Sequence, residues 1–192
     1  MIPDIPNPSK LCASPGLLYN EASAEGTSDR PASHGMKFAL NGAVTLGTLD
    51  GANIEIRDLV GPENFFLFGL TAEEAMALKA DDYRPRSYYE ADSELRQAID
   101  AIAGGAFSYG DTERYRALVD SLLNQDPYVL LADYRSYVDM AEQAAEAYRD
   151  TERWTRMSIL NAARCGFFSS DRSIRQYAAD IWKVQPVKVE AE

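Results

Sequence analysis

The sequence predicts an α/β fold in which a small parallel layer gives way to a mainly helical lobe. Three observations predict it. Two compact apolar segments, AVTLGTLD and NFFLFG, are each followed by a helical stretch, and that strand–helix–strand–helix order suits parallel pairing. Beyond about residue 80 the apolar residues recur at helical spacing. Residues 1–35 follow neither rhythm. Pro3, Pro6, Pro8, Pro15 and Pro31 supply five of the nine prolines. Proline fixes φ, lacks a donor and turns the preceding residue away from the α region, so this stretch reads as an extended, weakly ordered arm.

The elements follow in order. Order is expected to begin at Met36, with a short helix over MKFALNGA ending near Gly42. AVTLGTLD, bounded by Asp50-Gly51, reads as a buried strand. Asp50 is positioned to cap a helix over roughly 52–60 through its carboxylate, and Gly61-Pro62 stops that helix. Asn64 to Gly69 forms the second strand candidate. Thr71, followed by Glu73 and Glu74, is a helix start: a hydroxyl cap, then acids near the positive end of the dipole.

Leu95, Ala98, Ile99 and Ile102 mark an amphipathic helix ended by Gly104-Gly105. Tyr115, Leu118, Val119, Leu122 and Leu123 mark the next, closed before Asp126-Pro127. A long helix is expected from about Tyr134 to Arg149, with Val138, Ala141, Ala145 and Tyr148 on one face. Another runs from about Glu152 to Arg164. Ser170 and Asp171 are candidate caps for a last helix carrying Ile174, Tyr177, Ala178, Ile181 and Trp182, and the tail after Val184 is polar. Two strands make a poor sheet by themselves. The chain therefore reads as the later part of a larger α/β domain, with further strands absent or supplied by a partner.

Composition excludes several classes. The 192 residues carry 19 Lys and Arg against 30 Asp and Glu, a net charge of −11. Such a chain is poorly suited to nucleic acid or an anionic membrane surface, both of which need clustered cations. No apolar run approaches a membrane span, and MIPDIPNPSK lacks the basic and apolar regions of a secretory signal. Cys12 and Cys165 are too few for a disulfide framework and suggest no metal site, so a reduced, cytoplasmic setting is the default.

Few residues stand out chemically. Lys37 lies between Met36 and Phe38 in an apolar segment. It reads either as a lysine whose stem snorkels along the core or as one partly desolvated in a pocket, suited to a Schiff base with an aldehyde cofactor. Gly26-Thr27-Ser28 offers hydroxyls and free amides ahead of a helix, a weak phosphate signal. Asp50-Gly51-Ala52-Asn53 lacks the alternating ligands of a calcium loop and reads as a turn with a cap. His34 is the single histidine, which rules out a multi-histidine metal centre in this chain alone. Glu21 and Glu25 read as solvated carboxylates, Cys165 as a buried thiol, and Trp154 and Trp182 as helix-packing residues.

From Met36 to about residue 184 the sequence resembles the carboxyl-terminal end of the α-glucan phosphorylases, the glycogen, starch and maltodextrin family. The stretches MKFALNGAVTLGTLDGANIEIRDLVGPENFFLFG, ADYRSYVD and WTRMSILNAARCGFFSSDRSIRQYAADIW carry the resemblance, in that order and spacing. It implies part of a Rossmann-like carboxyl-terminal domain of glycosyltransferase B type, followed by the helical lobe. It also implies glucosyl transfer between an α-1,4-glucan and inorganic phosphate, with pyridoxal 5'-phosphate as cofactor. The family's cofactor lysine lies in the same MKF context and corresponds to Lys37. In this family the cofactor's phosphate takes part in proton transfer beside substrate phosphate.

The family's Glu-Ala-Ser-Gly-Thr stretch is matched in two pieces. Glu21 and Ser23 correspond to residues that meet the glucosyl unit, and Gly26 and Thr27 to those at the cofactor phosphate. Here DRPASHG, residues 29–35, intervenes before Met36, and Gly35 stands where the family has Asn. An insertion of about eight residues containing Pro31 disturbs a phosphate cradle that needs amides in fixed register with the lysine. The family's amino-terminal domain has no counterpart in the sequence. The isolated chain is therefore expected to be inactive. It is expected to act by pairing with a polypeptide that supplies that domain, or to be a noncatalytic module that pairs with it or with itself.

Overall fold

The computed structural model describes residues 17–19, 33–185 and 187. The Pro-rich arm reading and the positions Cys12, Glu21, Ser23, Glu25, Gly26, Thr27 and Ser28 otherwise fall outside the described residues. The fold is α/β and mostly helical, as expected, around a small parallel sheet. Strands β1 (Leu17–Tyr19), β2 (Val44–Gly47) and β3 (Phe66–Leu67) lie in the order β1-β2-β3. Leu18 pairs with Thr45, and Leu46 with Phe66. A third strand thus joins the two expected ones, drawn from the segment read as an arm.

Helix α1 (Ser33–Leu40) leads into β2, beginning three residues before the expected Met36 start. Its carboxyl end is a Schellman turn. Gly42, at φ 83°, donates its amide to Ala39, and the Ala43 amide reaches back to Phe38. Helix α2 (Ala52–Val60) follows. The expected Asp50 cap does not form. Gly51 takes the N-cap position at φ 51°, and the Asp50 carboxylate accepts the Gly51 amide at 2.7 Å, one residue short of the helix. The Gly61-Pro62 stop opens a 3-10 turn, Pro62–Asn64, ahead of β3.

Helix α3 (Ala72–Ala80) starts at the expected Thr71, whose hydroxyl accepts the Glu74 amide while the Glu74 carboxylate accepts the Thr71 amide. Helices α4 (Pro85–Ala91), α5 (Ser93–Ala103) and α6 (Arg116–Asn124) form a satellite bundle, of which α4 had no aliphatic period to announce it. Two long helices complete the body: α7 (Leu130–Arg149) and α8 (Thr151–Cys165). A 3-10 turn, Gly166–Phe168, then leads to α9 (Ser170–Tyr177), which continues as a π-helical turn over Ala178–Trp182. Ser169 occupies its N-cap position and makes no side-chain cap hydrogen bond, so neither Ser170 nor Asp171 is the cap. No described helix is long and apolar enough to cross a membrane.

The period of two along the strands divides the core into two layers. Val44, Leu46, Phe66 and Phe68 face Ala144 and Ala147 of α7 and Trp154 and Met157 of α8. On the other side Phe65 and Leu67 join Ala39 of α1, Ile56 and Val60 of α2, and Cys165 of α8. Burying a side chain such as Ile56 or Val60 contributes about 1.5–3 kcal/mol. Leu95, Ile99, Val119 and Leu131 form a third cluster beneath α4–α6. The buried stripe of α7 is rotated from the expected one. Ala144 and Ala147 point inward, while Tyr148 is exposed and meets Trp154 edge-on at 5.1 Å. Trp154 packs as expected. Trp182 does not: it is exposed beside Tyr177, because no described residue covers that end of the helix.

Candidate cofactor site

In a parallel sheet the ligand-facing edge is the one where the strands end. At β3 that edge is closed. The Gly69 amide donates to Ser136 Oγ at 3.0 Å and the Leu70 amide to Asp133 at 2.8 Å, so α7 seals the end of the strand. Asp133 is buried, and burial pushes its carboxyl above the ordinary range. The edge beyond β2 is shaped by Thr48 and Asn53, both buried. Asn53 Nδ2 donates to the Thr48 carbonyl at 3.1 Å and holds the turn into α2. The chain beyond β1 runs into positions 21–27, where the sequence places four of the five candidate site residues. All four lie outside the described residues.

Lys37 is the candidate that the structure places. Its helix, α1, turns tightly into the start of β2. Met36, Ala39 and Leu40 pack into the layer shared with α2 and α8. Lys37 and Phe38 occupy the opposite, exposed side. The Lys37 carbonyl accepts Asn41 Nδ2 at 2.7 Å, which helps fix the end of the helix. The lysine is thus an exposed primary amine on a backbone locked from behind.

Other polar clusters are accounted for structurally. Asp126, fully buried, accepts the Tyr83 hydroxyl at 2.7 Å and the amides of Leu130 and Leu131, capping α7. Burial and that carboxylate raise the Tyr83 phenol well above its usual pKa. The sequence reading treated Asp126-Pro127 only as a helix stop. Cys165 is fully buried and its thiol is pushed up to about 11, as suits an inert core thiol. Among the described residues no three His, Cys, Asp or Glu side chains gather as a metal site.

Comparison with known proteins adds to this geometry. The carbohydrate phosphorylase family model matches residues 20–184, beginning directly after β1 and so taking in positions 21–27. A glycogen phosphorylase of Synechocystis sp. is 57% identical over 157 residues, covering 82% of this chain and 18% of the relative. The glycogen phosphorylase of Pasteurella multocida is 48% identical over 86% of this chain and 19% of its own length. The brain form from Bos taurus is 43% identical over 88% of this chain and 20% of its own. The chain spans about one fifth of the length of these curated relatives. Both the extent of the family match and the identities place it: this chain belongs to the carbohydrate phosphorylase family.

Proposed function

We propose that this chain is the pyridoxal 5'-phosphate-binding, carboxyl-terminal part of an α-1,4-glucan phosphorylase, with Lys37 as the residue that holds the cofactor. Residues 36–184 form that portion, the sheet belongs to a Rossmann-like layer of glycosyltransferase B type, and residues 1–35 and 185–192 flank it. The observation that carries the reading is the placement of Lys37 within a chain of this family: an exposed amine on a helix whose other face is locked into the core. A primary amine suits the carbonyl of the cofactor, so the donor chemistry fits. When bound, the cofactor supplies a phosphate group able to exchange a proton beside substrate phosphate.

The chain's own contributions are binding and orientation. Lys37 tethers the cofactor at its Nζ atom. Gly26 and Thr27 contact its phosphate, and Glu21 and Ser23 meet the glucosyl hydroxyls. Glucan and inorganic phosphate are the substrates of the assembled enzyme, in a cytoplasmic setting. Phosphorolysis requires a polypeptide that supplies the rest of the cleft, and the isolated chain forms no glucose 1-phosphate from maltodextrin and phosphate.

Cofactor trapping tests this. The purified chain is incubated with pyridoxal phosphate and reduced with borohydride, and the modified lysines are located by peptide mass spectrometry. Only Lys10, Lys37, Lys79, Lys183 and Lys188 compete. Labelling concentrated at Lys37 and lost in Lys37→Ala supports the reading. Even labelling of all five, unchanged at the other four in the variant, refutes it. The second reading, a noncatalytic module that pairs with itself or with the rest of a phosphorylase, is favoured by the exposed apolar side chains along α9.

A further inference from the structure

The loop between α5 and α6 carries two rings that the core does not use. Phe107 is 67% exposed and Tyr109 is wholly exposed, while Ser108 between them is buried. The loop closes on itself. The Gly105 carbonyl accepts the amides of Ser108 at 3.1 Å and Gly110 at 2.9 Å, and Ser108 Oγ donates to the Asp111 carbonyl at 2.5 Å. The two glycines approach so closely that a Cβ on Gly105 would lie 2.8 Å from the Gly110 carbonyl carbon. With Ser108 anchored inward, its two neighbours face outward. Tyr109 is held at φ 54°, a left-handed backbone that suits glycine and opposes a bulky side chain. The fold gains nothing from a tyrosine there, yet both rings stand ready on a braced backbone.

We propose that Phe107 and Tyr109 form a saccharide platform, a noncatalytic contact that holds a linear α-1,4-glucan on the helical bundle, on a different element from Lys37. It rests on glucan being the substrate class, as proposed above, and adds a site to that reading. The chemistry selects the ligand. The C–H face of a pyranose carries slight positive charge and lies against the negative face of an aromatic ring. Groups for its hydroxyls stand alongside. Thr112 and Arg114 are exposed, and neither side chain has a hydrogen-bond or ion-pair partner among the described residues. The Arg114 guanidinium lies 6.0 Å from the centre of the Tyr115 ring. Anionic ligands are opposed. Asp111 and Glu113 follow the rings in sequence, Arg116 is paired to Glu113 at 3.1 Å, and the chain carries −11 overall. This disfavours nucleic acid and anionic lipid. Residues two apart have Cα atoms up to about 7 Å from one another, so one pyranose covers one ring and linked units cover both.

Affinity electrophoresis of the full chain in native gels containing amylopectin tests the platform. The wild type is expected to be retarded, with maltoheptaose competing and glucose not competing at equal molarity. Tyr109→Gly removes the ring and relaxes the backbone. It is expected to weaken the apparent affinity about five-fold while the melting temperature holds or rises. Tyr109→Phe keeps the ring and should keep the retardation, and Phe107→Ala added to Tyr109→Gly should abolish it. A wild type that migrates as it does without amylopectin overturns the proposal. Retardation unchanged in the double variant also overturns it, since the glucan is then held elsewhere. A Tyr109→Gly chain that melts below the wild type overturns it by giving the ring a role in folding. A wild type that ignores amylopectin but partitions through Tyr109 onto phosphatidylglycerol vesicles overturns it and assigns the rings to a membrane surface. Selective labelling of Lys37 in a chain that ignores amylopectin overturns the platform and leaves the phosphorylase reading intact. Even labelling of the lysines in a chain retarded through Tyr109 refutes the cofactor reading and supports the platform.

Discussion

Asp133 accepts the amide of Leu70 at 2.8 Å, joining the first turn of α7 to the end of β3 across most of the α/β layer. Burial is the largest influence on this carboxyl and raises its pKa; the Leu70 amide opposes the shift and Asp126 adds to it. A carboxyl raised in the fold supports the fold fully when protonated, below its unfolded pKa, and loses that contribution as pH rises through the folded value. Asp133→Asn keeps an acceptor for Leu70 and does not ionise. The stability of the wild type relative to this variant is therefore expected to fall from about pH 4 to about pH 7. Thermal melts at the two pH values decide it, and a relative rise refutes burial as the dominant influence.

Gly42 packs against α8. A Cβ there would sit 2.6 Å from Ser158 Oγ, and φ is 83°. Gly42→Ala is expected to lower stability by about 1–3 kcal/mol through conformational strain and the clash together. Adding Ser158→Ala removes only the clash, so denaturant melts of the double variant should recover part of the loss. Full recovery would mean that the left-handed backbone costs nothing.

Asn161 sits fully buried at the α8 crossing and donates to the carbonyls of Asn64 at 3.2 Å and Met157 at 2.9 Å. Asn161→Ala strands the Asn64 carbonyl and opens space, an expected loss of about 2–4 kcal/mol. Asn161→Asp replaces the donor with a carboxylate facing two carbonyl oxygens. It should destabilise more at neutral pH than at about pH 4, where a protonated carboxyl can still donate. Equal destabilisation at both would show that the amide serves packing alone.

Cys165 has no exposed surface and a thiol shifted to about 11 by burial. In a Cys12→Ser background, a disulfide reagent at about pH 8 should modify it only on unfolding, since thiolate and access are both lacking. Stoichiometric modification of the folded chain within minutes would place the thiol at an opening in the core.

The parts of the fold legible in sequence are those set by neighbouring residues. Thr71 with Glu74 announces α3 because both halves of the cap lie within one turn, and Leu95 with Ile99 announces α5 by aliphatic spacing. Asp50 misleads because Gly51 can take a backbone angle that diverts the cap, a choice invisible in composition. Helix α4 forms where Tyr88 and Tyr89 pack onto neighbours distant in sequence. The inward face of α7 is chosen by Trp154 and the strands, which no local period encodes. Lys37 draws notice through its flanking residues, but its exposure is not written there, because that depends on how α8 packs behind α1.

Helix α8 has Trp154 and Met157 in one layer and Cys165 in the other, while α7 carries Leu131 in the helical bundle and Ala144 beside the sheet. The three clusters are thus strung in series on two rods joined at Asp150. Such a body is expected to open as one unit, with its slowest-exchanging amides in α8. The α9 rod hangs outside that unit. Its amides should exchange by local fraying, at rates that hardly respond to changes in the core.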